Sequence, residues 1–548
     1  MTYYKTLLII AFTTCFGLTL NAQVNPQWVS YYNSPSNNSD IPVAMTVDNS
    51  GNIYVTGISP MPSQNDDYLT VKYNSAGVEQ WTARYHTPGS NDDLVRAIAV
   101  DNSGNVYVSG SVSYGGSNGV QITIKYNSAG VEQWVRQLGE PVASPAAPGG
   151  FKSSMGIDAS GNIYIGGIRK FGGGDNGGML LIKYTPDGDS LWTRRYKGTQ
   201  FLQGLGSAIG CLKVQGNYIY VTGKSFDMNP NRTLATTIKY DLSGDLQWIK
   251  HDSLAFGSDD VIAIDTDASG NVIIACNFAY DILTIKYDAA GNKLWRKTYN
   301  GIGGTRYDLV TGMETDQQGN IYLTGTSYRE VSEEDFLTLK YDAAGDMQWE
   351  RFYNGNRNVG DYSKGIALDA LGNVYVTGLT YEIPFNDNFM TIKYNSDGAE
   401  QWRINYDGGI NNRHDEAVDI ATDPDGDIIV TGFANRSNQD DYATIKYSES
   451  VGITQTSSDI PEKYTLSQNY PNPFNPATKI NYKLQIGNYV LLKVYDVRGI
   501  EVAELVNEKQ KAGSYTVDFD GSNLPSGIYF YKIYAGEFSD VKRMSLVK

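Results

Sequence analysis

Histidine and cysteine are scarce in this chain, and that scarcity bounds its chemistry first. The histidines are His86, His251 and His414, all in stretches that read as links between repeats. None stands beside a Ser/Asp arrangement of the kind that activates a nucleophile. Cys15, Cys211 and Cys276 form no CxxC, no zinc spacing and no vicinal pair. Cys211 and Cys276 sit in apolar, strand-like runs and read as buried thiols. Carboxylates are the plentiful reactive groups. Eight residues ahead of a turn aspartate, Asp recurs at Asp40, Asp93, Asp259, Asp308, Asp361 and Asp415, with Gly150 and Leu205 breaking the series. Ringed around a channel mouth, these side chains would attract Ca²⁺. The competing reading has each Asp cap its own link by accepting local backbone N–H groups. Capping is preferred, because repetition serves folding more often than function.

Two further sets could carry charge chemistry. Lys72, Lys125, Lys183, Lys239, Lys286, Lys340, Lys393 and Lys446 recur with the turn aspartates, Asp101 and its equivalents, and predict ion pairs between repeats. The fourth repeat has Lys213-Val214-Gln215 where that Asp belongs, so the pairing fails if Lys239 is placed like its counterparts. Asp423-Pro424-Asp425-Gly426-Asp427 opens like a calcium loop, lacks the distal Glu, and reads as a turn.

The elements that must position these groups are short strands. Tyr stands eight residues before Trp at Tyr73/Trp81, Tyr126/Trp134, Tyr184/Trp192, Tyr240/Trp248, Tyr287/Trp295, Tyr341/Trp349 and Tyr394/Trp402. Trp28 and Lys446-Tyr447 are the two orphan halves, at opposite ends of the array. Each repeat reads as four strands, in the second copy 97–101, 105–111, 121–126 and 131–137, with polar turns ending in Gly. A turn glycine precedes the second strand in every repeat: Gly51, Gly104, Gly161, Gly216, Gly270, Gly319, Gly372 and Gly426. The expected architecture is all-β, an eight-bladed β-propeller closed by an N-terminal strand around Trp28, with seven blades as the alternative. The tryptophans are expected to dock each blade on its neighbour by donating N–H to a backbone carbonyl there. Glycines such as Gly57 and Gly110, which close the second strand, leave room for that neighbour, and Cys276 replaces the glycine in the fifth repeat. Length varies in the stretches 59–67, 112–119, 169–178, 224–233, 328–334 and 381–388 and in the insertion 140–150, all on one face. That face is the predicted ligand face.

The whole chain of 548 residues divides accordingly. Residues 1–22 read as a secretory signal peptide: Lys5, an apolar run from Leu7 to Leu20, then Ala22 before Gln23. Residues 23–447 are the propeller, 448–463 a Ser/Thr-rich linker, and 464–548 a small Ig-like β-sandwich. A net charge of −16 argues against nucleic acid as a partner, and no segment beyond the leader is long and apolar enough to cross a membrane as a helix.

Two resemblances follow from these motifs. Asp-Ala-Ala-Gly-Asn-Lys-Leu-Trp at 288–295 resembles the tryptophan-docking repeat of eight-bladed quinoprotein propellers. The full unit, Asp-x-x-Gly-Asn-Val-Tyr-Val-Thr-Gly followed by Thr-Ile-Lys-Tyr, is closer to the bacterial β-propeller repeat family often called seven-bladed, and the repeat count of eight departs from that name. A quinoprotein dehydrogenase would be expected to have a vicinal disulfide, which these cysteines do not allow. The tail resembles the C-terminal sorting domain of the type IX secretion system, through Tyr470-Pro471-Asn472-Pro473-Phe474-Asn475-Pro476, Val494-Tyr495-Asp496-Val497-Arg498-Gly499, Leu524-Pro525-Ser526-Gly527-Ile528-Tyr529 and the last seven residues from Lys542. This resemblance implies a diderm, Bacteroidetes-like host, partnership of residues 464–548 with the type IX secretion machinery, and an extracellular or outer-membrane-surface location. The expected job is binding or adhesion to a glycan or protein ligand without catalysis. The alternatives are a polysaccharide-acting enzyme with carboxylate catalysis on the variable face and a structural surface coat.

Overall fold

Short apolar runs punctuated by Asp/Asn-x-x-Gly turns can build hairpins and little else. The computed structural model describes residues 24–35, 38–60, 66–87, 92–114, 118–137, 155–169, 178–196, 208–228, 231–254, 260–301, 307–329, 333–356, 359–383, 386–408, 414–436, 439–448, 453–457, 460–521 and 524–548. Every regular element among them is a strand. The leader 1–22, Asp259, Gly150, Leu205 and the insertion 140–150 lie outside the described residues.

Residues 25–448 form one compact unit of eight four-stranded antiparallel sheets among the described residues. We number them in chain order. The first consists of Ile41–Val47, Ile53–Ile58, Tyr68–Tyr73 and Glu79–Tyr85, and six more follow the same pattern. The eighth joins Asp415–Thr422, Ile428–Asn435 and Asp440–Ser448 to Asn25–Tyr32, with Trp28 opposite Lys446. The first strand of each sheet packs against the first strand of the next, and that of the eighth against that of the first, so the circuit closes. The core is correspondingly divided into clusters between successive sheets, such as Tyr54, Tyr68, Val106, Val108 and Ile124 between the first two.

Two details differ from the sequence reading. The first strand of the second sheet begins at Asp93, not at residue 97. A bulge leaves Arg96 unpaired, and the same slip falls at Val43, Ile262, Thr311, Lys364 and Val418. It breaks the two-residue alternation by which a strand is recognised. Stretches read as loops are also partly strand: pairing continues to Tyr114/Asn118, Met228/Asn231 and Arg329/Glu333. Backbone groups pair whatever the side chains are, so polar hairpin ends hide in composition.

The second unit holds two four-stranded sheets around one core that includes Ile480, Tyr482, Val490, Leu492, Val517, Tyr531 and Met544. The expected linker 448–463 contains a strand, Ile453–Ser457, paired with Gly513–Asp520. Its Ile and Thr residues are β-formers, which a Ser/Thr-rich composition conceals.

Candidate binding site

Each junction between sheets is made by the repeat residues. The indole N–H groups of Trp28, Trp81, Trp134, Trp192, Trp248, Trp295 and Trp349 donate to Ser75, Ser128, Pro186, Leu242, Ala289, Ala343 and Ser396, each a carbonyl in the next sheet's outer hairpin, over 3.0–3.3 Å. At the seventh-to-eighth junction that hairpin is two separate chain segments, and Trp402 lies against Tyr375 of its own sheet, ring centroids 6.0 Å apart. The repeat lysines reach the same carbonyls. Lys72, Lys125, Lys183, Lys239, Lys286 and Lys340 donate to Ser128, Pro186, Leu242, Ala289, Ala343 and Ser396 over 2.8–3.4 Å.

The expected ion pairs between sheets are therefore replaced by lysine-to-carbonyl bonds, and Lys239 is placed like its counterparts. Carboxylate pairs do occur, within a sheet. Lys286 meets Asp267 at 3.0 Å, Lys446 meets Asp423 and Asp427 at 2.6 and 2.9 Å, and Lys183 stands further off, 3.6 Å from an Asp158 that Tyr164 also holds. The reason lies one strand over. In most sheets a tyrosine holds the turn aspartate, as Tyr54 holds Asp48 (2.9 Å) and Tyr375 holds Asp369 (2.9 Å). Ile273 and Ile429 replace that tyrosine in the fifth and eighth sheets, and lysine takes its place. The Lys446 ammonium stands between the carboxylates of the calcium-like stretch 423–427, whose backbone forms an ordinary turn closed by Asp423 Oδ1.

The link aspartates act as caps. Asp40 accepts from the N–H of Ser34 (2.6 Å), Asp93 from Thr87 (2.8 Å), Asp308 from Gly301 (2.7 Å), Asp361 from Gly355 (2.5 Å) and Asp415 from Gly408 (2.7 Å). The second carboxylate oxygen takes a hydroxyl nineteen residues on, from Ser59, Ser327 and Thr380, or in Asp415 the N–H of Asn435. At that place the second sheet has Val112. All five are buried. Burial pushes the carboxyls of Asp40 and Asp308 up, and that of Asp415 up to about 6.

Sequence reasoning missed a second acidic series on the same face. Asp67, Asp281, Asp335 and Asp441 stand six residues before Tyr73, Tyr287, Tyr341 and Tyr447, with Asn388 in the equivalent place before Tyr394. The Asp-x₅-Tyr spacing was visible. Asp67 and Asn388 fall at the ends of the variable stretches 59–67 and 381–388, which obscures the series. Asp67, Asp335 and Asp441 are buried. Burial, with Asp40 and Asp440 nearby, pushes the Asp441 carboxyl up to about 6.

Across the sixth, seventh and eighth sheets this face carries one connected polar network. Glu334 accepts from the hydroxyls of Tyr307 and Tyr362. Tyr307 packs edge-on to Tyr328, centroids 6.4 Å apart. Asp387 holds His414 Nδ1, His414 Nε2 lies 3.4 Å from Glu416, and Glu416 pairs with Lys364 at 2.8 Å. Tyr381 lies in the field of Asp387, Glu416 and Asp361. Hydrogen bonds donated to Asp387 and Glu416 hold the His414 imidazolium up to about 10. The tyrosines are half-buried and His414 is exposed. In the neighbouring fifth sheet, Tyr280 projects from a two-residue hairpin turn in which both Ala279 and Tyr280 adopt positive φ (51° and 74°), a strained arrangement for residues other than glycine.

The other two histidines are placed differently. His86 hydrogen-bonds Asp67 at 2.8 Å. His251, read as a link residue, belongs to the strand Leu246–Ser253 and meets Thr236 at 2.9 Å. Cys211 and Cys276 are buried and share no disulfide, and the Cys211 thiol donates to the carbonyl of Ile262 at 3.0 Å. A groove of about 720 Å³ opens on the tight-turn face, lined by Asp316, Lys340, Asp369 and Leu371. A smaller one of about 330 Å³ lies at the equivalent junction of the first two sheets, so the groove is a product of the repeat.

Comparison with known families agrees with the repeat and tail readings. The beta-propeller repeat family matches residues 27–59 and 353–386, and the secretion system C-terminal sorting domain matches residues 468–547. The chain thus carries beta-propeller repeats and a type IX sorting domain, which directs export to the cell surface or extracellular space in Bacteroidetes and implies contact with the secretion machinery. An uncharacterized WD repeat-containing protein of Acanthamoeba polyphaga mimivirus is 22% identical over 77% of this chain, which spans 31% of that protein. Among solved structures, PorZ, a surface component of the type IX secretion system of Porphyromonas gingivalis, is 12% identical with a TM-score of 0.29, covering 93% of this chain and 74% of its own. The β-propeller domain of the Trilobed protease from Pyrococcus furiosus is 10% identical with a TM-score of 0.29, covering 62% and 93%. Among the described residues no helix is long and apolar enough to cross a membrane.

Proposed function

We propose that this is an exported surface protein, sent out by a leader at 1–22 and an Ig-like sorting sandwich at its other end. Its eight sheets are the blades of one propeller, and its loop face binds an extracellular polyhydroxylated ligand, a glycan, without turning it over. The observation that carries this reading is the network of Tyr307, Glu334, Tyr362, Tyr381, Asp387, His414 and Glu416. Half-buried aromatic rings offer flat apolar faces beside polar groups that accept and donate hydrogen bonds, the lining that orients a small number of ligand groups. His414, held up to about 10, is a charged donor at neutral pH and far from the poise a general base needs. The test is a screen of the full chain against soluble polysaccharides by calorimetry, with product analysis of every mixture. Saturable binding without product, weakened at least tenfold by Glu334→Gln, is expected; binding indifferent to that change removes the site from the network.

A second reading, an extracellular polysaccharide-acting enzyme, is favoured by Asp415 and Asp441, whose carboxyls lie near 6, where a general acid works. Product release abolished by Asp441→Asn would establish it in place of simple binding.

A further inference from the structure

We propose that Asp67, His86 and Asp93, at the junction of the first and second sheets, form a binding site for a first-row divalent transition ion such as Zn²⁺. One ligand atom from each lies within 4.8 Å of the other two. His86 Nδ1 is 2.8 Å from Asp67 Oδ1. A four-coordinate ion with bonds of about 2.0–2.2 Å separates its ligand atoms by roughly 3.4 Å, so a small shift of the exposed His86 away from Asp67 Oδ1 makes room for the ion.

Two independent observations point to a cation there. The first is an orphaned acceptor. Asp67 is 1% exposed, and its Oδ2 accepts no hydrogen bond. The Arg84 guanidinium stands 3.6 Å from it, but donates to the carbonyl and hydroxyl of Ser59. The second is an excess of acidic groups. The backbone N–H of Asp93 bonds the carbonyl of Asp66 at 2.8 Å, which sets the pairs Asp66-Asp67 and Asp92-Asp93 side by side. The two pairs gather four carboxyl groups at this junction, with the Arg84 guanidinium 3.6 Å from Asp67.

The donor set selects the metal. One imidazole nitrogen with two carboxylate oxygens suits Zn²⁺ or its first-row neighbours, whereas Ca²⁺ takes six to eight oxygens. Among the described residues this is the one group of three such ligands, so the site belongs to one junction and is not a ring. It does not depend on the glycan reading, which concerns the sixth to eighth sheets.

The experiment is calorimetric titration of the metal-stripped full chain with ZnCl₂ and with CaCl₂, for the wild type and for His86→Ala, Asp67→Asn and His251→Ala. Expected are one saturable Zn²⁺ site, affinity reduced at least tenfold in His86→Ala and Asp67→Asn and unchanged in His251→Ala, and weaker Ca²⁺ binding. Since Asp67 is buried, His86→Ala, an exposed change that leaves the fold alone, is the decisive variant. No saturable Zn²⁺ binding, Zn²⁺ binding that survives His86→Ala, or Ca²⁺ bound as tightly as Zn²⁺ would each overturn the assignment.

Discussion

At the scale of single residues, six of the sheet junctions place two donors on one carbonyl. Pro186 O takes the indole N–H of Trp134 at 3.0 Å and the ammonium of Lys125 at 2.8 Å. Removing either donor leaves the carbonyl satisfied, whereas removing both strands a part-buried acceptor. Trp134→Phe and Lys125→Met should thus each cost about 1 kcal/mol, and the double variant should exceed their sum by at least about 0.5 kcal/mol. Denaturant melts of the four proteins measure this, and simple additivity would mean the two donors act separately. His414 makes a second prediction, in pH. Its imidazolium is held up to about 10 in the folded chain, against about 6.5 unfolded. A raised pKa contributes stability in full below about pH 6.5 and loses it as pH rises through 10. The stability gap between wild type and His414→Ala should therefore be widest at pH 6 and closed above pH 10. An unchanged gap would mean that Asp387 and Glu416 do not hold the ring in solution.

At the scale of the element, glycines separate backbone demand from packing. Gly130 and Gly426 both sit at positive φ, 79° and 84°. A Cβ on Gly130 would come within 2.6 Å of Trp81, while one on Gly426 meets nothing within 4 Å. Both alanine variants bear the left-handed strain, about 1–2 kcal/mol; only Gly130→Ala must also displace a docked indole. It should cost roughly 1–3 kcal/mol more than Gly426→Ala by the same melts, and equal losses would show that the indole yields freely. The glycines that close the second strand follow a related rule: Tyr442 and Tyr68 of the preceding sheet press on Gly57 and Gly110, and Phe389 on Gly432. In the fifth sheet the neighbour is Ala235, packed in one cluster with Cys276, so a smaller partner admits the thiol.

Turns, strands and tryptophan spacing were legible because each is local: a positive φ needs Gly within four residues, and a buried strand needs its apolar run. What stayed hidden was decided across sheets. The bulge at Arg96 erased an alternation, hairpin ends such as 226–233 looked like polar loop, and the Thr-rich strand 453–457 looked like linker. The candidate site was half legible. Asp308, Asp361 and Asp415 were found, but as caps they lie beneath the surface that Glu334, Tyr362 and His414 form. Nothing in a linear pattern shows that residues 307, 334, 362 and 414 meet.

At the scale of the molecule, closure depends on eight residues far from the rest of their sheet in sequence. Asn25–Tyr32 pairs with the eighth sheet's last strand from Ser448 back to Tyr442, and Trp28 donates to Ser75 and covers Gly77 in the first sheet. The strand therefore hides an edge of the eighth sheet and supplies the indole of the eighth-to-first junction. In an open array each unit touches only its neighbours and unfolding spreads from the ends, whereas a closed circuit has no ends. Deleting residues 24–32 should convert one cooperative unfolding transition into a broader one with a lower midpoint, seen by tryptophan fluorescence in urea. The exposed edge of Asp440–Ser448 should also promote association between chains, detectable by light scattering. A synthetic peptide spanning residues 24–35 should restore the midpoint, and the same peptide with Trp28→Ala should pair with the edge yet restore less, because it brings no indole to Ser75. A deletion that leaves the transition sharp and unshifted would mean that the circuit is held by its seven continuous sheets alone.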